Sequence, residues 1–406
     1  MPSTAGASTR PVTEPDLTDP SLHAQQDLSE YFRRLRADEP VARRETTDGR
    51  GFWLVSRHAD VLTVCRDTDS FVSTGGNVMD TLLTGGDTGA GRMLAVTDGP
   101  KHASMRKLLW KSFTPGALQS YAERIRSATH DLVREAVRTG QCDFARDVAA
   151  HIPLAAICDL LGVPAEDRPF ILQRTSSALG SEDAAHAPGA ARLAKGELLL
   201  YFAKLARARR SAPADDLISL LSTGVVEGDR LTDDEVVLNC YSLILGGDET
   251  TRLAMIGGVK ALIDHPDQWQ ALKNGDVETS SATEEILRWT SPALHVGRTA
   301  VRDVELGGVR IREGDAVVAW TASANFDEAE FDRPDRFDLA RQPNRHLSFA
   351  HGPHYCIGVH LARIEIGALL DALRETVGVM EPTGPTRRVH SNFLSGLSSL
   401  PLKLRA

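Results

Sequence analysis

The stretch from His346 to Glu365, H-L-S-F-A-H-G-P-H-Y-C-I-G-V-H-L-A-R-I-E, constrains this chain more than any other. An apolar start gives way to a compact loop carrying Gly352 and Pro353, and then to Cys356. Beyond it Ile357, Leu361, Ile364 and Ala368 recur three to four apart, the spacing of one helical face. The loop therefore delivers a cysteine to the mouth of a helix, where unpaired N–H groups and the helix dipole favour a thiolate. Gly358 has no side chain, so a flat ligand can approach the backbone there. Taken alone, a lone cysteine is just as readily a small buried apolar residue. The pattern around it decides between the two readings.

The order Phe349, Gly352, His354, Cys356, Gly358 resembles the haem-binding loop of the cytochrome P-450 family. The resemblance implies that Cys356 is the proximal iron ligand of haem b, with Phe349 and Gly358 beside the cofactor. Ala350 stands where that family usually has glycine, which implies a slightly altered hairpin. The likeness runs from about Leu28 to Leu404. It implies a mainly α fold with a small β-rich region, a triangular helical body holding haem between two long helices.

By length, 406 residues allow two or three ordinary domains. The resemblance argues for a single catalytic unit over residues 21–406. Residues 1–20 are rich in Pro, Thr, Ser and Asp and read as a mobile arm. A net charge of −9 argues against a general nucleic-acid binder. No run of 18 apolar residues exists, and Met1–Pro20 lacks a signal-peptide core, so a cytoplasmic protein without a membrane anchor is expected. The cysteines Cys65, Cys142, Cys158, Cys240 and Cys356 are widely spaced and odd in number, which suits neither zinc nor a disulfide framework. Cys65, Cys158 and Cys240 sit among aliphatic residues and read as core.

In chain order, Leu28–Leu35 reads as a short helix, Val41–Arg44 and Gly51–Ser56 as a hairpin, and His58–Cys65 as a helix. Ser73–Arg92 is glycine-rich around an apolar island, Val78–Leu83, and reads as a lid or a solvated loop. His102 and Arg106 are four apart and share a helical face. By resemblance they bind haem propionate, as do Arg298 and His346. Lys101, Lys107 and Lys111 make that helix basic within an acidic protein, a landing site for an acidic electron donor. Helices are expected over Ala117–Gly140, Asp143–Leu161, Glu166–Leu179 and Ala190–Arg210. The last two, with the polar loop Gly180–Gly189, roof the pocket in the family.

Thr232-Asp-Asp-Glu235 is a capping box that opens a helix of about 30 residues, to Asp264. In its middle, Gly246-Gly247-Asp248-Glu249-Thr250-Thr251 weakens the helix, and the Thr250 hydroxyl can turn to the Gly246 carbonyl. A surface segment of a helix would look similar. The hexapeptide resembles the family's oxygen-binding groove, which implies catalytic roles for Glu249 and Thr250 in proton delivery. Ser281-x-x-Glu284 reads as the cap of another helix, on which Glu285 and Arg288 lie three apart. With Arg336 downstream they resemble the family's structural triad. Val304–Leu306 and Val309–Ile311 read as a hairpin. Met79, Leu82, Leu243, Gly246, Val296 and Leu394 are the expected substrate-pocket residues, with His295 beside them, and Ser391–Gly396 the final pocket turn.

The resemblance implies a haem-thiolate monooxygenase that uses O2 to hydroxylate or epoxidise a hydrophobic small molecule, by analogy a natural-product intermediate. Electrons from NAD(P)H would arrive through a separate ferredoxin and reductase, since no flavin or iron–sulfur segment is fused here. Oxidative coupling, cyclisation or desaturation without oxygen insertion is the alternative outcome. A haem-based sensor is the non-enzymatic one, against which the acid–alcohol pair speaks.

Overall fold

The computed structural model describes residues 14–178 and 189–406. The expected loop Gly180–Gly189, apart from Gly189, and most of the expected arm lie outside them. The described end of that arm is packed: Leu17 is buried, and a turn at Asp16 leads directly into the first helix.

Helices dominate. The first four are α1 (Pro20–Gln25), α2 (Ser29–Asp38), α3 (His58–Arg66) and α4 (Met79–Leu83). They lie around a sheet ordered 41–45, 51–55, 316–319, 296–300, 71–72. The expected hairpin is its antiparallel edge pair, with Val41 opposite Val55. One apolar cluster holds Val61, Phe71, Ile311 and Val317, and another holds Phe32, Phe52, Met79 and Trp320.

The helical body follows with α5 (Gly99–Trp110), α6 (Pro115–Thr139), α7 (His151–Leu161), α8 (Arg168–Ala178), α9 (Ala190–Ser211) and α10 (Leu217–Thr223). Then come α11 (Asp233–Asp264), α12 (Pro266–Asn274), α13 (Thr279–Thr290), α14 (Thr321–Ala324) and α15 (Val359–Thr376). The single helix expected over Asp143–Leu161 is instead a short strand, Gln141–Asp143, a π-turn over Ala145–Ala149, and α7. Pairing of that strand with Pro401–Arg405 overrides the local helical pattern.

At 32 residues α11 is about 48 Å long and forms the axis of the largest core. Its capping box is present: Thr232 accepts from the Glu235 amide, and Glu235 accepts from the Thr232 amide. The paired glycines do not break it. Gly247 packs where a Cβ would lie 2.7 Å from Ile157 of α7, while a Cβ on Gly246 would meet nothing. α13 starts at Thr279 rather than at a Ser281 cap, because Ser281 donates to the Leu339 carbonyl instead.

Candidate active site

The cysteine loop is held by backbone hydrogen bonds, Ala350 N–H to Leu347 O at 2.9 Å and Cys356 N–H to Phe349 O at 3.0 Å. Ala350 keeps the turn by adopting φ 52°, a left-handed conformation that costs a non-glycine residue about 1–2 kcal/mol. Gly352 has φ 71°, and a Cβ there would sit 2.3 Å from the Cys65 carbonyl, so the loop docks on α3 only with glycine. Cys356 is then presented to an internal cavity two residues before the cap of α15. Burial pushes its thiol up, while the Gly358 amide and the charges of Arg106 and Arg363 pull the other way.

The cavity, about 310 Å³, separates Cys356, Phe349, Ile357, Gly358 and Leu361 from Leu243, Gly246, Gly247, Thr250 and Thr251 of α11. Thr250 Oγ1 donates to the Gly246 carbonyl at 3.1 Å. Val296, Phe393, Leu94 and Asn77 extend the wall, so its character is largely apolar. A larger surface cleft, about 660 Å³, lies between α2 and the end of α13 and contains none of these residues.

Several expected positions fall elsewhere. Met79 is buried beneath α4 with Phe52 and Trp320, and Leu82 packs on the same cluster, because the apolar island seats on the sheet rather than over the cavity. Only Asn77 of that segment reaches the cavity wall. Leu394 lines the surface cleft and bridges to Ala293, since adjacent residues in an extended turn point to opposite sides; its neighbour Phe393 faces inward. His295 is buried between Trp320 and Phe393 and bonds to the Asn392 carbonyl. No residue of α8 or α9 is among those lining the cavity. Cys65, Cys158 and Cys240 are buried core residues.

At one end of the cavity His102, Arg106 and His354 converge. The rings of His102 and His354 are 4.2 Å apart, and Arg106 lies over Trp110. Burial lowers His102 to about 4, helped by the His354 and Arg106 charges, and its Nε2 has no hydrogen-bond partner among the described residues. Arg298 is buried nearby, donating to the Gly297 carbonyl at 2.7 Å with no carboxylate at ion-pair distance among the described residues. A buried guanidinium lacking an acid, beside an unpartnered imidazole nitrogen, is a costly arrangement unless an anion completes it. His346 is not part of this group. Its Nε2 is 3.2 Å from Glu284, which also takes two hydrogen bonds from Arg363, so the ring is consumed on the far side of the loop.

His354, named in the loop order but given no role of its own there, stands two positions from Cys356 and lines the same end of the cavity. Its Nε2 lies 3.0 Å from Asp98, which also accepts from the Ser73 and Thr74 amides. Burial raises Asp98, but the hydrogen bonds from His354 and Thr74 outweigh it and bring the carboxyl down to about 2. Glu365 also lines the cavity and carried no sequence signal.

The acid of the expected pair, Glu249, does not line the cavity. It is fully buried behind Thr250, with Arg252 Nη2 at 2.6 Å and Ser176 Oγ at 3.3 Å. Glu285 and Arg288 form a bidentate pair with no exposed surface, 2.8 and 2.9 Å. Arg336 contributes only its carbonyl; its side chain is exposed. Of the lysines on α5, Lys101 is engaged by Glu235 and the Gly91 carbonyl, leaving Lys107 and Lys111 exposed.

An apolar slot walled by a cysteine and a glycine–threonine helix segment, with arginine and histidine donors at one edge, fits haem in ligand and charge. No helix among the described residues is long and apolar enough to cross a membrane. The family model for Cytochrome P450 matches residues 279–381. Cytochrome P450 NovI of Streptomyces niveus is 48% identical, covering 98% of this chain and 99% of that one. The Steroid C26-monooxygenase of Mycolicibacterium smegmatis is 34% identical over 94% and 92%. The crystal structure of P450 OxyD, involved in the biosynthesis of vancomycin-type antibiotics, superposes with a TM-score of 0.88 at 36% identity, covering 96% of this chain and 99% of that one. With 98% of its length aligned to a relative of that family at 48% identity, the chain belongs to the cytochrome P450 family and is a monooxygenase of that family.

Proposed function

We propose that residues 21–406 act as one catalytic unit that binds haem b and uses O2 to hydroxylate or epoxidise a hydrophobic small molecule, an intermediate of natural-product biosynthesis. The observation that carries this reading is the apolar cavity with Cys356 on one wall and the Gly246–Thr250 segment on the other. Cys356 would hold the iron, with Phe349 and Gly358 against the ring. His102, Arg106, His354 and Arg298 would bind its carboxylates. Bound haem supplies the centre at which O2 is activated, and thiolate ligation favours O–O cleavage.

This chain's residues then have distinct tasks. Thr250 Oγ1, which donates to the Gly246 carbonyl one turn earlier, holds a proton donor at the cavity face. Glu249 lies buried behind it and resupplies protons from solvent. Leu243, Val296 and Phe393 exclude water and orient the substrate through apolar contact. The names of the similar proteins, one from antibiotic biosynthesis and one acting on steroids, support an apolar scaffold as substrate. Electrons would come from NAD(P)H through a ferredoxin and its reductase, placing the enzyme in the cytoplasm with them.

The test is to screen candidate scaffolds for a Soret shift, then run turnover under isotope-labelled O2 and weigh the product. A labelled oxygen atom in the product supports monooxygenation. An unlabelled product two hydrogens lighter would replace it with coupling or desaturation.

A further inference from the structure

Asp248, Glu249 and Glu365 are all fully buried where α8, α11 and α15 meet. Among the described residues the cation beside them is Arg252, already paired with Glu249 at 2.6 Å. α8 sets two successive hydroxyls against the two successive acids of α11. Thr175 Oγ1 is 2.7 Å from Asp248 Oδ2, and Ser176 Oγ is 3.3 Å from Glu249 Oε1. Thr175 Oγ1 is also 3.1 Å from the Leu172 carbonyl.

A hydroxyl has one proton and can donate once. If Asp248 were ionised, its carboxylate and the Leu172 carbonyl would compete for that proton. If Asp248 carries a proton, it donates to Thr175 while Thr175 donates to Leu172, and all three groups are satisfied. Asp248 Oδ1 has no partner among the described residues, an arrangement tolerable for a neutral acid and poor for a carboxylate.

We propose that Asp248 is a positioning residue that works as a neutral carboxylic acid, clasping α8 to α11 through Thr175 and leaving Arg252 and Ser176 to Glu249. Burial and the Glu249 charge push Asp248 up to about 7, with Arg252 and Thr175 opposing. Among the described residues, the other neighbours cannot neutralise a second charge. From α7 the Cys158 thiol is pushed up to about 12 by burial and by Asp248, and from α15 burial holds Glu365 well above the usual range. Ionising Asp248 therefore sets a second negative charge beside Glu249, with Arg252 the shared cation among the described residues. An α8 that swings away would let Asp248 titrate near its ordinary value, about 4. The clasp is thus complete at low pH and weakens as pH rises from about 4 to about 7. This holds whether or not Glu249 and Thr250 move protons.

Amide hydrogen exchange over residues 168–178 of the haem-loaded protein tests it, at pH 5.5 and 8.5 and corrected for intrinsic rates. Protection of α8 in the parent should fall ~10-fold or more between the two. Asp248→Asn, which keeps a donor to Thr175 but cannot ionise, should remove most of that fall. Thr175→Val should lower protection already at pH 5.5, and Thr175→Ser should restore it. A parent profile independent of pH, an undiminished fall in Asp248→Asn, or full protection in Thr175→Val would each overturn the proposal.

Discussion

Arg341 Nε lies 3.1 Å from Glu285 Oε2, the same oxygen that Arg288 Nε reaches at 2.8 Å. Arg341 also donates to the carbonyls of Asp332, Arg333 and Arg336, so it fastens the segment after α14 to α13. The third arginine of the buried network is therefore Arg341. Removing one partner from such a network strands a buried charge at a cost of roughly 3–5 kcal/mol. Glu285→Ala and Arg341→Ala should both yield little haem-loaded protein and a lower unfolding temperature. Arg336→Ala, which leaves the accepting carbonyl in place, should change stability by about 0.5 kcal/mol or less. Haem content and thermal unfolding of the three proteins settle the assignment.

Cys356 is the cysteine that faces the cavity. Cys356→Ser should abolish the red-shifted carbon monoxide band of the reduced protein. Cys65→Ser, Cys158→Ser and Cys240→Ser should keep it, at some cost in stability from their buried positions. A normal band in Cys356→Ser would remove the haem-thiolate reading altogether.

Thr250 faces the cavity and Glu249 faces the interior, so their losses should differ in kind. Thr250→Ala should bind substrate and consume NAD(P)H but divert electrons to hydrogen peroxide. Glu249→Gln should slow turnover and enlarge the solvent isotope effect. If the two serve one relay, the double variant is less than additive. Undiminished product per NAD(P)H in Thr250→Ala would mean that protons arrive by another route.

Lys107 and Lys111 remain exposed on α5 after Lys101 is engaged by Glu235. Reversing both to Glu should slow reduction by a ferredoxin. The gap from the parent should narrow as salt screens the attraction, with a Debye length near 8 Å at physiological ionic strength. Reduction that is unchanged and independent of salt would move the docking face elsewhere.

Glu284 joins α13 to the cysteine-loop side through Arg363 and His346. Burial raises its carboxyl, but the hydrogen bonds from Arg363 and His346 dominate and bring it down to about 2. Its folded value is thus below the unfolded one, so its contribution is present above about 4.5 and is lost as pH falls toward 2. Glu284→Gln should lower stability at neutral pH and flatten the acid limb of a thermal-stability profile between those values. An acid limb of unchanged slope would show that other carboxylates set it.

The sequence by itself determined the elements whose information is local. The capping box at Thr232, the helical periodicity after Cys356 and the Thr250–Gly246 hydrogen bond each involve residues within four positions, so spacing specifies them. The loop order from Phe349 to Gly358 likewise resides in one short stretch. Tertiary structure alone decided which of two equivalent side chains reaches a shared site. His346 and His354 flank the same loop, and Arg336 and Arg341 the same turn. Each was separated by a partner distant in sequence: Glu284 captures His346, Asp98 orients His354, and Glu285 selects Arg341. The direction of Leu394 against Phe393, and the burial of Met79 against the sheet, depended on packing between remote segments. Hydrogen bonds and apolar contacts across such separations have no signature in local spacing, because the chain encodes them only through the fold that brings the partners together.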